Sequence, residues 1–263
     1  MSTILDEIVA NRVEEVLKQK KAISLSQMQS KIDLGVACNS LSAQLRTSGM
    51  SGIIAEFKRR SPSKGVINDK VLPEIVTKGY VEAGVSGLSV LTDSRYFGGS
   101  ATDFMAARNA NPKTPLLRKD FMVDEYQIYE SKYLKADVIL LIAAVLKKSD
   151  IFRFTSVAHE LGMEVLLELH DESEIEKIDP SIDMIGINNR NLKDFKVDMD
   201  RSLRLLSQLP VTAIKISESG LSDPETVDDL RSRGFHGFLM GEIFMKSDHP
   251  AVACSDFVSR LKY

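Results

Sequence analysis

Apolar side chains recur every three or four positions at the start of the chain: Ile4, Leu5, Ile8, Val9, Val13, Val16 and Leu17. That spacing lays one stripe along a helix. Thr3 is placed as its N-cap, Asp6 and Glu7 lie in the first turn, and Lys18, Lys20 and Lys21 sit near the end, where the helix dipole favours cations. A polar connector at 24–30 and a short apolar segment with Leu41 and Leu45 follow. Then the period changes. Eight short apolar runs bounded by turn residues appear: GIIAEF at 52–57, GLSVL at 87–91, PLLRK at 115–119, DVILLI at 137–142, MEVLLEL at 163–169, DMIGIN at 183–188, AIKIS at 213–217 and GFLMG at 237–241. The gaps between them each hold one helix and two loops, and 72–84, 124–136, 148–162 and 222–234 read as helices. The last is the best punctuated, with Ser222 or Asp223 as cap, Pro224 in the first turn and Gly234 at the end.

Near-continuous apolar strands alternating with helices imply a parallel sheet covered on both faces. Eight such units favour closure into a (β/α)8 TIM barrel of the α/β class. An open doubly wound sheet would want G-x-G-x-x-G after the first strand; the chain has E-F-K-R-R-S-P-S-K-G there. The expected organisation is one (β/α)8 domain over 1–263, a helical extension at 1–48 and the barrel at 49–263. The length suits a fold that typically takes about 250 residues.

In such barrels the chemistry gathers where the strands end. The first run ends in Glu56 and Lys58, the third in Lys119, the fifth in Glu168, the sixth in Asn188 and Arg190, and the seventh in Glu218 and Ser219. Period-2 alternation puts Ile54, Glu56 and Lys58 on one face of the first strand, and leaves Ile53, Ala55 and Phe57 for the helix layer. Leu117 with Lys119, and Leu166 with Glu168, continue inward rows in the same way. Glu56 and Glu168 are expected to face each other across the mouth, with Lys119 a quarter-turn from both. Carboxylates and lysines crowded into a partly dehydrated cup push their pKa values apart, as acid–base chemistry requires. Gly220 and Gly241 follow the seventh and eighth strands, where bare backbone N–H groups of these barrels bind phosphate.

Composition narrows the partners. With 34 Lys+Arg against 37 Asp+Glu, the formal charge of −3 gives no general attraction to nucleic acid or anionic membrane, so anion binding must be local. No apolar run approaches a membrane span. Cys38 and Cys254 lie in no paired motif and read as reduced thiols of a cytoplasmic protein; no metal or cofactor is indicated. His159 reads as a surface residue; His170, two positions after Glu168, reads as a polar loop residue in preference to a lining of the mouth; and His236 and His249 have no ligand partners.

The motifs E-F-K-R-R-S-P-S at 56–63, S-V-L-T-D-S-R-Y-F-G-G-S at 89–100, L-L-R-K-D-F at 116–121, I-G-I-N-N-R-N-L at 185–192 and E-S-G at 218–220 resemble indole-3-glycerol phosphate synthase, as does the N-terminal extension. The resemblance covers essentially the whole chain. It implies conversion of 1-(2-carboxyphenylamino)-1-deoxyribulose 5-phosphate to indole-3-glycerol phosphate, CO2 and water, a carboxy-lyase reaction of tryptophan biosynthesis that needs no metal or organic cofactor. By position it implies a general acid at Lys119, a general base at Glu168, a mobile lysine at Lys58 and its paired carboxylate at Glu56. It extends the polar set to Asn188 and Arg190 and gives phosphate contacts at Lys58, Ser219, Gly220, Gly241 and Glu242. Glu242 stands where some members have Ser, and the backbone N–H is the expected donor there. Ser61, Glu218 and Phe121 within the motifs are further expected substrate contacts, and Leu91, Phe97 and Leu140 are expected to form a flat pocket for the anthranilate ring. Which lysine serves which step stays open. The partner expected is a small phosphorylated substrate, the protein a monomer, with weak association with other tryptophan-pathway enzymes possible. A phosphoribosylanthranilate isomerase would be expected to end its first strand in Cys, and a non-catalytic barrel to have lost ionisable strand ends; neither holds.

Overall fold

In a computed structural model that describes residues 3–190 and 196–263, each apolar run becomes a parallel strand: β1 (Ile53–Phe57), β2 (Gly87–Leu91), β3 (Leu116–Lys119), β4 (Val138–Ile142), β5 (Glu164–Leu169), β6 (Met184–Asn188), β7 (Ile214–Glu218) and β8 (Gly237–Met240). Each pairs with its neighbours in chain order, and β8 pairs back onto β1, so the sheet closes. The fold is a (β/α)8 TIM barrel with an N-terminal helix, as the strand pattern implied. Asn191 and Leu192, which belong to one of the recognised motifs, lie outside the described residues.

Alternation along the strands divides the core in two. Ile54, Leu117, Leu140, Leu166, Met184, Ile216 and Leu239 point inward and fill the barrel. Ile53, Ala55, Phe57, Val90, Leu141, Leu167 and Ile187 point outward, under the helices. The rows assigned from period 2 on the first, third and fifth strands are therefore correct.

The extension meets the barrel at both ends. Helix α1 (Ile4–Ala22) starts at a capping box in which Thr3 and Asp6 bond reciprocally. Its buried face is Ile8, Arg12 and Val16. This corrects the single apolar stripe: Val13 and Leu17 are exposed. The face rotates because Arg12, a charged residue, is drawn inward by Asp120 at 2.6 Å. After the short α2 (Leu25–Gln29), helix α3 (Leu41–Arg46) plugs the N-terminal end of the barrel with Leu41 and Leu45. The Glu164 carboxylate caps it, accepting from the N–H groups of Leu41 at 2.9 Å and Ser42 at 3.0 Å. Glycines begin β2 and β8 here: a Cβ on Gly87 would lie 2.6 Å from the Leu41 side chain, and one on Gly237 3.2 Å from Leu45.

The four helices read from the sequence form as α4 (Pro73–Glu82), α6 (Tyr126–Tyr133), α7 (Lys148–Glu160) and α9 (Pro224–Ser232), the last capped by Asp223. Helices α5 (Ala101–Ala110), α8 (Met199–Leu206), α10 (Glu242–Met245) and α11 (Pro250–Val258), not read as helices from the sequence, complete the layer. No helix among the described residues is long and apolar enough to cross a membrane. Cys38 and Cys254 are free thiols.

Leu41 is fully buried in the plug, so Leu41→Ala is expected to destabilise the chain by about 2–5 kcal/mol through lost transfer energy and a residual cavity. Denaturant unfolding reads this as a lower midpoint at unchanged slope; an unchanged midpoint would show that the plug carries no stability.

Candidate active site

A cavity of about 570 Å³ opens at the C-terminal ends of the strands. Every residue singled out from the sequence lines it: Glu56, Lys58, Ser61, Leu91, Phe97, Lys119, Phe121, Leu140, Glu168, Asn188, Arg190, Glu218, Ser219, Gly220, Gly241 and Glu242. Leu91, Leu140 and Ile142 make one apolar wall, with Phe97 and Phe121 tilted together at a centroid separation of 6.0 Å. Ile4, Leu5 and Ile8 of α1 line the same cavity, so the extension is part of its wall. That contribution was not read from the sequence.

The floor is one layer of charge. Glu56, Lys119, Glu168 and Glu218 come from β1, β3, β5 and β7, the alternate strands that share a layer in these barrels. Lys119 Nζ donates to Glu168 Oε2 and to Glu218 Oε2, both at 2.7 Å. Lys58 Nζ donates to Glu56 Oε1 at 2.6 Å, and Ser89 Oγ lies 3.4 Å from the other Glu56 oxygen. The expectation that Lys119 sits between Glu56 and Glu168 is thus half corrected: its second partner is Glu218, because Glu56 is occupied by Lys58. Gly186 on β6 makes room, since a Cβ there would lie 2.2 Å from Glu218 Oε1.

These contacts set the protonation states. Burial opposes the charge on Lys119, but Glu168, Glu218 and then Glu56 outweigh it and hold the ammonium well above its usual range. Burial likewise raises Glu168, yet the charge of Lys119 and the hydrogen bond from His170 overcome it, leaving this carboxyl well below the usual range. Glu218 goes the other way: burial, only partly offset by Lys119 and reinforced by the Glu168 charge, pushes it up to about 8. Two carboxylates on one lysine therefore differ sharply in proton affinity.

His170 was read as a polar loop residue. The structure instead buries it, with Nε2 2.7 Å from Glu168 Oε1. Burial opposes its charge, and the Glu168 hydrogen bond and charge prevail, raising its pKa. His159, by contrast, is exposed as expected, against Asp183.

Lys119 is held from behind by a buried network that the sequence did not announce. Asp120 Oδ2 accepts from Arg12 at 2.6 Å, Thr92 at 2.5 Å and Arg118 at 3.1 Å, while Arg118 also donates to Glu130 at 2.6 Å. Arg118 occupies the outward face of β3, so its alternation with Lys119 was legible even though its partners were not.

Opposite the apolar wall lie the glycine turns that follow β7 and β8. Ser219 and Gly220 both adopt positive φ (67° and 79°), and a Cβ on Gly220 would lie 2.3 Å from Val197. Asn189, fully buried, pins this turn by donating to the carbonyls of Glu218 and Ser219 at 3.1 Å. Gly241 is the N-cap of α10, and a Cβ there would lie 2.7 Å from the Glu56 carbonyl, so only glycine lets the turn pass β1. Arg190 donates to Ser63 Oγ at 2.6 Å and Glu242 Oε2 at 3.1 Å, and Lys246 reaches Glu242 Oε1 at 2.7 Å. Arg190 and Lys246, both paired with Glu242, and the turns at Gly220 and Gly241 thus border the cavity at this end.

Comparisons with known proteins agree with this geometry. The family described as indole-3-glycerol phosphate synthase matches residues 5–257. Among relatives of that name, one from Bacteroides thetaiotaomicron is 50% identical over 262 residues, covering 100% of both chains. Another, from Neisseria meningitidis, is 42% identical over 253 residues, covering 95% of this chain and 96% of its own. Among solved structures, the tryptophan synthase alpha subunit of Legionella pneumophila superposes with a TM-score of 0.60 at 13% identity over 85% of this chain and 97% of its own, a likeness of fold alone. With the family match running nearly end to end and a full-length relative at half identity, the chain belongs to the indole-3-glycerol phosphate synthase family.

Proposed function

We propose that the chain closes the indole ring of 1-(2-carboxyphenylamino)-1-deoxyribulose 5-phosphate, releasing CO2 and water to give indole-3-glycerol phosphate, with Lys119 as general acid and Glu168 as general base. The observation that carries this reading is the Lys119 ammonium, bonded to Glu168 and Glu218 between an apolar wall and an anion-binding turn.

The substrate fits that polarity end to end. Its anthranilate ring suits the Leu91, Phe97, Phe121 and Leu140 wall, and its phosphate suits the backbone donors at Gly220 and Gly241 with Arg190 and Lys58 nearby. The ring carbon bearing the carboxylate attacks the ketose carbonyl carbon, and the carbonyl oxygen takes a proton from Lys119. The bond to the carboxylate then breaks, CO2 leaves, and the released pair restores the aromatic ring. In the last step the new hydroxyl leaves as water with a proton from an ammonium, a role Lys58 fills at the mouth. Glu168 removes the proton from the adjacent carbon. The first step prepares the last: once Lys119 has given up its proton, the charge that depresses the Glu168 pKa is gone and the carboxylate becomes a stronger base.

Glu56 anchors Lys58 in this reading, Asn188 and Ser61 orient the sugar hydroxyls, and Ser219 and Glu242 border the phosphate. The protein works in the cytoplasm as a monomer, its extension and barrel folding as one unit through Arg12–Asp120 and the α3 plug.

The chain contains no Trp, so indole emission is read against tyrosine alone. Adding the carboxyphenylamino-deoxyribulose phosphate to purified protein is expected to give rising indole fluorescence, and a flat trace would defeat the reading. Lys119→Met is expected to abolish turnover with the circular dichroism spectrum unchanged, and Glu168→Gln to cost about a hundredfold or more in rate, the range of a general base. Glu218 supplies a pH test. As pH rises through about 8 it ionises, adding a second full counter-charge to Lys119 and weakening it as an acid. The value of kcat is therefore expected to fall along that limb, and Glu218→Gln to remove the limb; a limb that persists in the variant belongs to another group.

A further inference from the structure

Glu168 is held by both of its oxygens. Oε2 accepts from Lys119 and Oε1 lies 2.7 Å from His170 Nε2. In the reaction Lys119 must turn its proton toward the substrate oxygen, so the Lys119 bond is the one that loosens. The His170 bond is then what keeps the carboxylate plane fixed.

His170 is built for a fixed position. It follows directly on β5, its backbone N–H donates to Glu174 Oε2 at 2.7 Å, and Glu174 is itself buried in the 3₁₀ turn Glu172–Lys177. A carboxylate only accepts, so Nε2 carries a hydrogen whether the ring is neutral or cationic. The charged groups around the ring are Glu168 at the end of β5, Glu174 on the following turn with Lys177 behind it, Glu218 from β7 and, beyond Glu168, Lys119 from β3. Lys177 is occupied by the carbonyls of Ala143 and Leu146 after β4.

We propose that His170 is a positioning residue for Glu168, donating from Nε2 to Oε1 so that the carboxylate keeps its orientation while Lys119 turns to the substrate. The inference rests on Glu168 acting as the base. The same bond favours the ionised carboxylate, so its loss lets Glu168 take up a proton at higher pH.

The test is the indole-fluorescence assay run across pH on the parent, His170→Gln, His170→Asn, His170→Phe and Glu168→Gln. His170→Phe keeps the ring's bulk without the donor. It is expected to lower kcat about tenfold to a hundredfold, part of what a general base supplies, to leave KM within about twofold, and to move the acid limb of kcat to higher pH. His170→Gln, whose amide N–H reaches the place of Nε2, is expected to recover most of the rate. His170→Asn, one methylene shorter, is not. Parental kcat with an unmoved limb in His170→Phe overturns the proposal, as does a change in KM alone, or equal loss in the Gln and Phe variants. If the Phe variant does not fold, the Gln and Asn variants decide: a working Gln beside an impaired Asn supports the donor role, and two alike overturn it. An active Glu168→Gln defeats the base assignment itself; an inert one beside a parental His170→Phe defeats only the role of His170.

Discussion

One lysine bonded to two buried carboxylates is the constraint around which this barrel is arranged. Taking an ammonium and two acids out of water is unfavourable, and it is tolerated only when the charges meet at close range with their remaining hydrogen-bonding capacity placed deliberately. The chain satisfies Lys119 with Glu168 and Glu218, turns His170 onto the free oxygen of Glu168, and leaves one oxygen of Glu218 without a partner among the described residues. The unequal treatment has a chemical result. Glu168 remains ionised and Glu218 holds its proton to about pH 8, so the same lysine is flanked by one base and one acid at neutral pH.

The rest of the structure keeps that layer in register. Apolar residues below it fill the barrel down to the α3 plug, which makes the strands' inward rows a rigid column. Behind β3, Arg118 and Asp120 knit Lys119's strand to Thr92, Glu130 and the extension's Arg12. At the rim, Gly241 brings the turn after β8 against Glu56 so closely that no side chain fits between them. The glycine turns after β7 and β8, Lys119 and the aromatic wall are thus fixed relative to one another by backbone packing, which suits the proposed substrate, with phosphate at one end and an aromatic ring at the other.

Much of this was legible in the sequence because a closed barrel obeys two simple periodicities. Short apolar runs marked the strands, and period 2 told which side chains point inward, so Glu56, Lys119 and Glu168 could be placed at one level before any coordinates. Side-chain reach was not legible. A lysine four methylenes long can reach across the layer as well as to a neighbour: Lys119 bonds Glu168 beside it and Glu218 opposite, while Glu56 pairs with Lys58. For His170 the polar-loop reading was preferred to the mouth-lining one, because position after a strand end does not say whether a ring turns outward or back into the mouth, and its bond to Glu168 was not foreseen. Two usable signals were passed over. Glu218 ends the fourth alternate strand and so belongs to the same layer, and Gly186 inside an apolar strand marks a close approach, here of the Glu218 carboxylate. The buried face of α1 was misjudged for the opposite reason, since an arginine paired across the fold behaves as a core residue.

The account's central claim is that Lys119 stays an ammonium because it is bonded to Glu168 and Glu218. Nitrogen NMR of the lysine side chains, with the Lys119 signal assigned by its absence in Lys119→Met, reads this directly across a pH titration. The account predicts that Lys119 remains protonated well past the pH at which the exposed lysines titrate. Loss of its proton at or below the pH of the exposed lysines would contradict it.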